Sequence, residues 1–388
     1  MEYCIVASNY RTETQHVHVF LDNVVVRFVD RGIACNVIAP QSLVRYLFKG
    51  NARRNIISHR TTPSGNPYTV YSPVHLVFPT WKLGHFYLAD LSKKSFFRAV
   101  KRVYKKRGLK ADAIYSHFVH AGTAAVRLGT ELGIPSFIAN GEADTIQSLK
   151  NLSPELVRQT LENASGIISV STKNKDEILS LYGDESILEK TRVIVNAADP
   201  HRFYPRDKAQ CRKELGFPEG AFIVSYTGSF IPRKGTRKLS RVLDHFDDVY
   251  SIFIGVGEDA PDCKNILHKG RVPNEKIGTY LCASDVFVLP TQAEGCCNAI
   301  VEAVSCGVPV ISSDLPFNYD VLDDSCSILI DPDSEAELEA GLRRLKEDEV
   351  LRGQLAAGSK QKGSGLTIDK RVDKLLQFIK ERSDHFKK

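Results

Sequence analysis

Residues 291–314 read TQAEGCCNAIVEAVSCGVPVISSD, with two glutamates, Glu294 and Glu302, eight positions apart around a Gly-Cys-Cys-Asn turn. Just before it, VFVLP is a short β-branched run that ends at Pro290; AIVEAVSC then has helical apolar spacing, and VPVIS returns to a buried strand. The stretch is a strand, a turn and a helix with Asn298 as its expected cap, so the turn lies at the carboxyl edge of a parallel sheet. Backbone amides of Cys297, Asn298 and Ala299 at a helix start can face an anion, with the helix dipole behind them. Eight residues of straight helix would hold the glutamates roughly 12 Å apart. A turn between them lets both face one cavity, where carboxylates accept from paired hydroxyls.

The same rhythm runs outward in both directions. Expected strands are YCIVAS, CNVIAP, AIYSHF, IPSFIA, GIISVS and RVIVNA, then FIVSYTG, SIFIGVG, ILHKG, VFVLP, VPVIS and SILID. Helical spacing falls between them, as at 20–31, 123–132 and 299–306. Alternating strands and helices imply an α/β chain of parallel sheets covered on both faces. Prolines and charges break the rhythm at 196–220, so two Rossmann-like domains are expected, at 1–200 and 201–365. Residues 366–388 read as an amphipathic helix, with Val372, Leu375, Leu376 and Ile379 on one stripe, that packs back toward the first domain. One insertion, Leu43 to Phe86, is rich in Arg, Pro, Ser and Tyr and holds the single tryptophan, Trp81; it reads as a long ordered loop.

At 388 residues the chain exceeds what one core usually organises. Nine cysteines lack any C-x-x-C pair and read as reduced thiols. A polar start, without a basic region or a run of spanning length, points to a cytoplasmic protein. Charge is uneven: residues 1–200 hold 25 Lys and Arg against 17 Asp and Glu, the remainder 27 against 29. The positive field belongs to the first half. Its densest part, 93–110, has nine basic residues and no acid, with Phe96, Phe97, Val100, Val103 and Tyr104 on one helical stripe. The stripe suits docking on a sheet, and the charges suit an anionic membrane surface at the inner face of the cell membrane. No recognition module supports nucleic acid as a partner.

Several stretches together resemble the retaining nucleotide-sugar glycosyltransferases of the GT-B fold, glycosyltransferase family 4, with their E-x7-E signature. They are VIVNAADPHRFYP, YTGSFIPRKG, GVGED, KGRVPNEKIGTYLCASDVFVLPT and EGCCNAIVEAVSCGVPVISSD, in the family's order, with weaker likeness at AIYSHFVHAG and IPSFIANGEADT. The resemblance implies two Rossmann-like domains facing across a deep cleft, with a C-terminal crossover helix. It implies that Glu294 touches the donor sugar and Glu302 binds ribose hydroxyls. Gly295, Cys296 and Cys297 would line the sugar and distal phosphate, and Asn298 and Ala299 the helix start. Lys234, reinforced by Arg233, would neutralise the diphosphate; Val272 would meet the nucleobase; His117 would approach the sugar from the first domain. Leaving-group charge would then be stabilised by cations and amides without a metal, and no cofactor is implied beyond a nucleoside diphosphate sugar as substrate. The acceptor implied is a glycan or lipid-linked sugar, in polysaccharide or glycolipid biosynthesis. Three departures stand out: Ser229 where many relatives carry arginine, Ala197 where they carry glycine, and no glycine in SNYRTETQHVHVF, where many place a Gly-Gly loop.

Plainer readings sit beside these. Cys296 and Cys297 could form a vicinal disulfide or a metal pair, but no other ligands cluster near them in the sequence, and small residues whose backbone approaches a ligand fit better. His120 reads as readily as a satisfied core histidine. Asp331-x-Asp333 reads as a helix start, with Ser334 the cap and Glu337 three residues on, rather than a metal pair. A same-fold epimerase or glucan synthase, or a non-catalytic nucleotide-sugar-binding or scaffold subunit, remain alternatives to a hexosyltransferase.

Overall fold

Each of the twelve apolar runs above carries a strand. The structure, a computed structural model, describes residues 1–10, 19–48 and 56–387. The chain divides into two units, Met1–Ile194 with Val372–Lys388, and Val195–Arg371.

The first unit is built on β1 (Glu2–Ala7), β2 (Ala34–Ile38), β3 (Ile57–Thr61), β4 (Pro67–Tyr71), β5 (Ala113–His117), β6 (Ser136–Asn140), β7 (Gly166–Ser169) and β8 (Thr191–Val193). They form one sheet in the order β8-β7-β6-β5-β1-β2-β4-β3. All neighbours are parallel except β3, antiparallel to β4 at the edge. β1 pairs through Val6 with Ile38 on one side and Ser116 on the other. The chain therefore starts mid-sheet, winds outward, and crosses back, which places a topological switch point between β1 and β5.

The long-loop reading of 43–86 is corrected here. β3 and β4 lie inside that segment and extend the main sheet, with two-residue strands at Val74–His75, Lys82–Leu83 and Phe86–Tyr87. PYTVY buries Tyr68 and Val70 alone, and this half-buried edge pattern is weak among so many polar residues. Residues 49–55 of the insertion, and 11–18 of the glycine-free SNYRTETQHVHVF, lie outside the described residues.

Helix α1 (Val19–Asp30), helix α2 (Leu88–Lys106) and helix α3 (Val119–Leu132) cover this sheet. α2 buries Phe96, Phe97, Val100 and Tyr104, with Val103 packed against the same cluster. α3 lies close on β6, where a Cβ at Gly122 would stand 3.0 Å from Ile138. The last helix, Ile368–Phe386, buries Val372, Leu375, Phe378 and Ile379. Phe378 sits edge-on to Phe137 at 6.3 Å, over Gly166, where a Cβ would meet both rings at 2.9 Å.

The second unit carries β9 (Phe222–Thr227), β10 (Val249–Ile254), β11 (Ile266–Gly270), β12 (Val286–Leu289), β13 (Val310–Ser313) and β14 (Ser327–Ile330). Their order, β11-β10-β9-β12-β13-β14, is parallel throughout. Its switch point lies between β9 and β12. No described helix is long and apolar enough to cross a membrane.

Candidate functional site

Two loops leave the strands that flank the second switch point. The first, Gly228–Lys234, is laid over the end of β10: Gly228 N donates to Ile254 O at 2.9 Å and Phe230 N to Val256 O at 2.9 Å. So close an approach requires glycine opposite, since a Cβ at Gly255 would stand 1.8 Å from Gly228 O. Tyr226 ties the loop from beneath, its hydroxyl donating to Ser229 O at 3.0 Å and accepting from Thr236 Oγ1 at 2.9 Å. Pro232–Lys234 then make a 3-10 turn, and Gly235, at φ 69°, turns the chain into α4 (Thr236–Leu243).

The second loop follows β12 and delivers Glu294 to the first. Lys234 Nζ is 2.8 Å from Glu294 Oε1, Arg233 Nη1 3.4 Å, and Thr291 Oγ1 donates to the same oxygen at 3.1 Å. Arg233 also donates to Ala293 O and accepts, at its carbonyl, from Gln292 N at 2.9 Å. These described contacts all fall on Oε1. Burial by itself lowers the Lys234 pKa, but Cys297 and Glu294 outweigh it and the net direction is up. The Cys297 thiol is itself raised to about 11 by burial, so it is neutral near pH 7, and Glu294 supplies the acting charge.

Beyond Glu294, the buried Gly295 and Cys296 complete the turn, and Asn196 Nδ2 donates to Cys296 O at 2.9 Å. Cys296 and Cys297 are both free, buried thiols; burial pushes Cys296 up to about 12. The capping assignment is corrected: Cys297, at φ −74° and ψ 113°, is the cap residue, and Asn298 is the first residue of α5 (Asn298–Ser305). No side chain caps this helix by hydrogen bond, and the Cys297 sulfur beside the Ala299 and Ile300 amides is a weak acceptor. The amides at this start are therefore available to a stronger acceptor.

Glu302 stands one turn into α5; its backbone carbonyl accepts from Cys306 N at 3.0 Å, and its side chain makes no hydrogen bond or ion pair among the described residues. It keeps partial access to solvent. Protein packed around it raises its pKa to about 7, with Arg202 pulling the other way. A carboxylate without a partner in such surroundings is costly unless a ligand supplies donors.

Val272 follows β11 at the same sheet edge, two strands from β9, and packs against Ile223, Ile252 and Ile254. His117 ends β5 in the first unit, at that sheet's switch point. Its ring is 4.7 Å from Phe20 and 4.6 Å from Phe118, and Phe118 has φ 69°, a strained value for a bulky residue. Glu142 holds this corner: Oε1 accepts from Val119 N and Oε2 from Gly141 N, each at 3.0 Å, capping α3 where Phe118 cannot. Burial raises Glu142 to about 7. His120 bonds Ser148 O at 3.0 Å, and burial holds it down at about 4, a neutral core histidine. Ser334 does cap its helix, accepting from Glu337 N at 3.1 Å.

The structure thus brings Arg233, Lys234, Glu294, Gly295, Cys296, Cys297, Asn298, Ala299 and Glu302 to one edge of one sheet. Thr291, Asn196 and Glu142 serve these sites and went unassigned from sequence. All three sit inside quoted motifs, and an acid two residues past the strand end at Asn140 is the available signal for Glu142.

Residues 207–362 match the family model described as glycosyl transferases group 1. Over most of its length the chain is similar to TuaC of Bacillus subtilis (strain 168), which is named as a teichuronic acid biosynthesis glycosyltransferase. The two are 26% identical over 356 residues, 87% of each chain. It is 27% identical over 291 residues, 69% of this chain and 74% of the other, to the Escherichia coli UDP-Gal:alpha-D-GlcNAc-diphosphoundecaprenol alpha-1,3-galactosyltransferase. Among solved structures, sucrose-phosphate synthase from Thermosynechococcus elongatus superposes with a TM-score of 0.76 at 16% identity, covering 98% of both chains. Anabaena HepE in complex with UDP and glucose gives 0.69 at 18%, covering 98% of this chain and 100% of that one. These similarities show the GT-B fold, two Rossmann-like units.

Proposed function

We propose that this protein is a retaining, metal-independent hexosyltransferase that moves a sugar from a nucleoside diphosphate sugar to a glycan or lipid-linked acceptor. One observation carries the reading. The carboxylate Glu294, two cations and an uncapped helix start converge at the second switch point, with the unpartnered Glu302 one turn further on. Cations and free amides suit a diphosphate, and carboxylates suit sugar and ribose hydroxyls. In the proposal, the second unit binds the donor and the first the acceptor. Lys234 and Arg233 hold the leaving phosphates, Glu294 the sugar, Glu302 the ribose and Val272 the base, while His117 acts from the first unit.

Relatives named for teichuronic acid biosynthesis and for a diphosphoundecaprenol acceptor support a setting in polysaccharide or glycolipid assembly. We place the protein in the cytoplasm at the inner membrane face, held there by the basic residues 93–110. Titration calorimetry with UDP, GDP and ADP, followed by turnover of the matching sugar donor with acceptor extract, tests the function. Binding of one nucleotide, with turnover lost in Glu294→Gln, is expected. A wild type that binds none of the three would refute it.

A further inference from the structure

The first unit exposes an apolar edge that the proposed chemistry does not use. Between Val74–His75 and α2, Leu76, Val77, Trp81, Leu83 and Phe86 are each at least half exposed, Trp81 at 70%. Residues 76–87 hold one lysine and no acid. The segment is ordered on α2 itself: Leu76 N donates to Ser95 Oγ at 2.9 Å, Phe78 N to Ser92 Oγ at 2.8 Å, and Leu88 N to Trp81 O at 3.2 Å. A two-residue ladder pairs Leu83 with Phe86, and Lys82 Nζ lies 4.7 Å over the Tyr87 ring. Val44 and Leu47, also exposed, sit on the short helix Leu43–Phe48, which packs beside Val74–His75.

The same α2 displays Lys94, Arg98, Arg102, Lys105 and Lys106 to solvent at helical spacing, none paired with a carboxylate among the described residues. Lys101, by contrast, is engaged by Glu131. An apolar edge rimmed by uncompensated cations matches an anionic lipid surface, where rings seat at the headgroup level and lysines meet phosphates. A second copy docking through the same face would set two such cationic stripes against each other.

We propose that the apolar edge of 76–87 is a shallow insertion element that seats the basic stripe of α2 on an anionic phospholipid bilayer. The inference deepens the membrane contact assigned above to 93–110 and rests on it. Trp81 is the single tryptophan of the chain, so tryptophan emission, excited beyond tyrosine absorption, reports on this edge alone.

The full chain is mixed with vesicles of phosphatidylglycerol or phosphatidylcholine. Expected are binding to phosphatidylglycerol only, a blue shift of the emission, and quenching by lipids brominated high in the acyl chain. Trp81→Ser with Leu83→Ser and Phe86→Ser should lower vesicle partition roughly tenfold or more, the loss expected when buried apolar area drives binding, with circular dichroism and thermal unfolding of the full chain as the folding control. Binding with Trp81 still water-like and unquenched refutes insertion and leaves the electrostatic contact standing. No binding to either vesicle refutes both. Equal binding to phosphatidylcholine, or a blue shift that grows with protein concentration or with added RNA before vesicles are present, also refutes the proposal.

Discussion

Glu302→Gln should stabilise the protein above pH 7 while weakening nucleotide binding. The carboxyl pKa rises from 4.5 to about 7 on folding because packed protein disfavours its charge. A raised carboxyl binds more protons in the folded state, so its contribution to stability is highest below 4.5, is lost as pH climbs toward 7, and is flat above. At about 1.4 kcal/mol per pKa step the full penalty is about 3 kcal/mol. Solvent at the exposed side of the group reduces this to about 1 to 2 kcal/mol. Glutamine keeps the shape and has no charge to desolvate, so its Tm should exceed wild type by about 2 to 8 °C at pH 8 and match it near pH 4.5. Nucleotide binding should move oppositely. A ribose diol donating to an ionised carboxylate contributes about 1.5 to 3 kcal/mol, so the variant should bind about 10- to 100-fold more weakly at pH 8. Differential scanning fluorimetry across pH, beside calorimetry with the nucleotide that wild type binds, measures both. A variant less stable than wild type at pH 8, or one that binds nucleotide equally well, refutes the assignment.

Lys234→Ala should lower kcat by about 100- to 1,000-fold, the scale of one lost oxyanion donor, in steady-state assays at saturating donor. Cys297→Gly should keep activity, since the proposed site uses only that residue's backbone, while Glu294→Gln should abolish turnover under the same assay; the reverse pattern would return the thiol to the chemistry. Gly255→Ala should unfold the second unit or lower its Tm sharply, because its Cβ would stand 1.8 Å from the backbone oxygen of Gly228. Circular dichroism on heating reads this, and an unchanged Tm would show that the Gly228 loop is not held where it stands.

Why the sequence read well in some places and poorly in others is visible in particular residues. β12 and β13 are buried on both faces, so VFVL and VISS are continuous apolar or small runs that stand out without any partner. β4 is half-buried, with only Tyr68 and Val70 inside, and its neighbour β3 is an antiparallel edge; such strands exist because the sheet beside them does, which a local pattern does not contain. The helix cap failed for a related reason. Asn298 is a good cap by residue type, but the Gly295–Cys296 turn, held by Asn196 one hundred positions away, sets the extended backbone at Cys297. The glutamate spacing was legible; that Glu294 is paired and Glu302 is not could not be read from spacing.

That difference has a consequence for how the proposed site would work. Glu294 already accepts from Lys234, Arg233 and Thr291, so its charge is compensated before any ligand arrives. Lys234 in turn is kept protonated and held in place, little exposed, beside the uncapped start of α5. A donor diphosphate entering there would draw on Lys234 and loosen its hold on Glu294 Oε1, freeing that oxygen for a sugar hydroxyl in the same step. Phosphate and sugar recognition would then be coupled through one ion pair, whereas ribose recognition by the unpartnered Glu302 would stand apart. A double-mutant cycle reads this directly. Lys234→Ala and Glu294→Gln should be strongly non-additive for binding of the sugar donor, and Lys234→Ala and Glu302→Gln close to additive. Additivity in the first pair would show that the two charges meet only in the empty site.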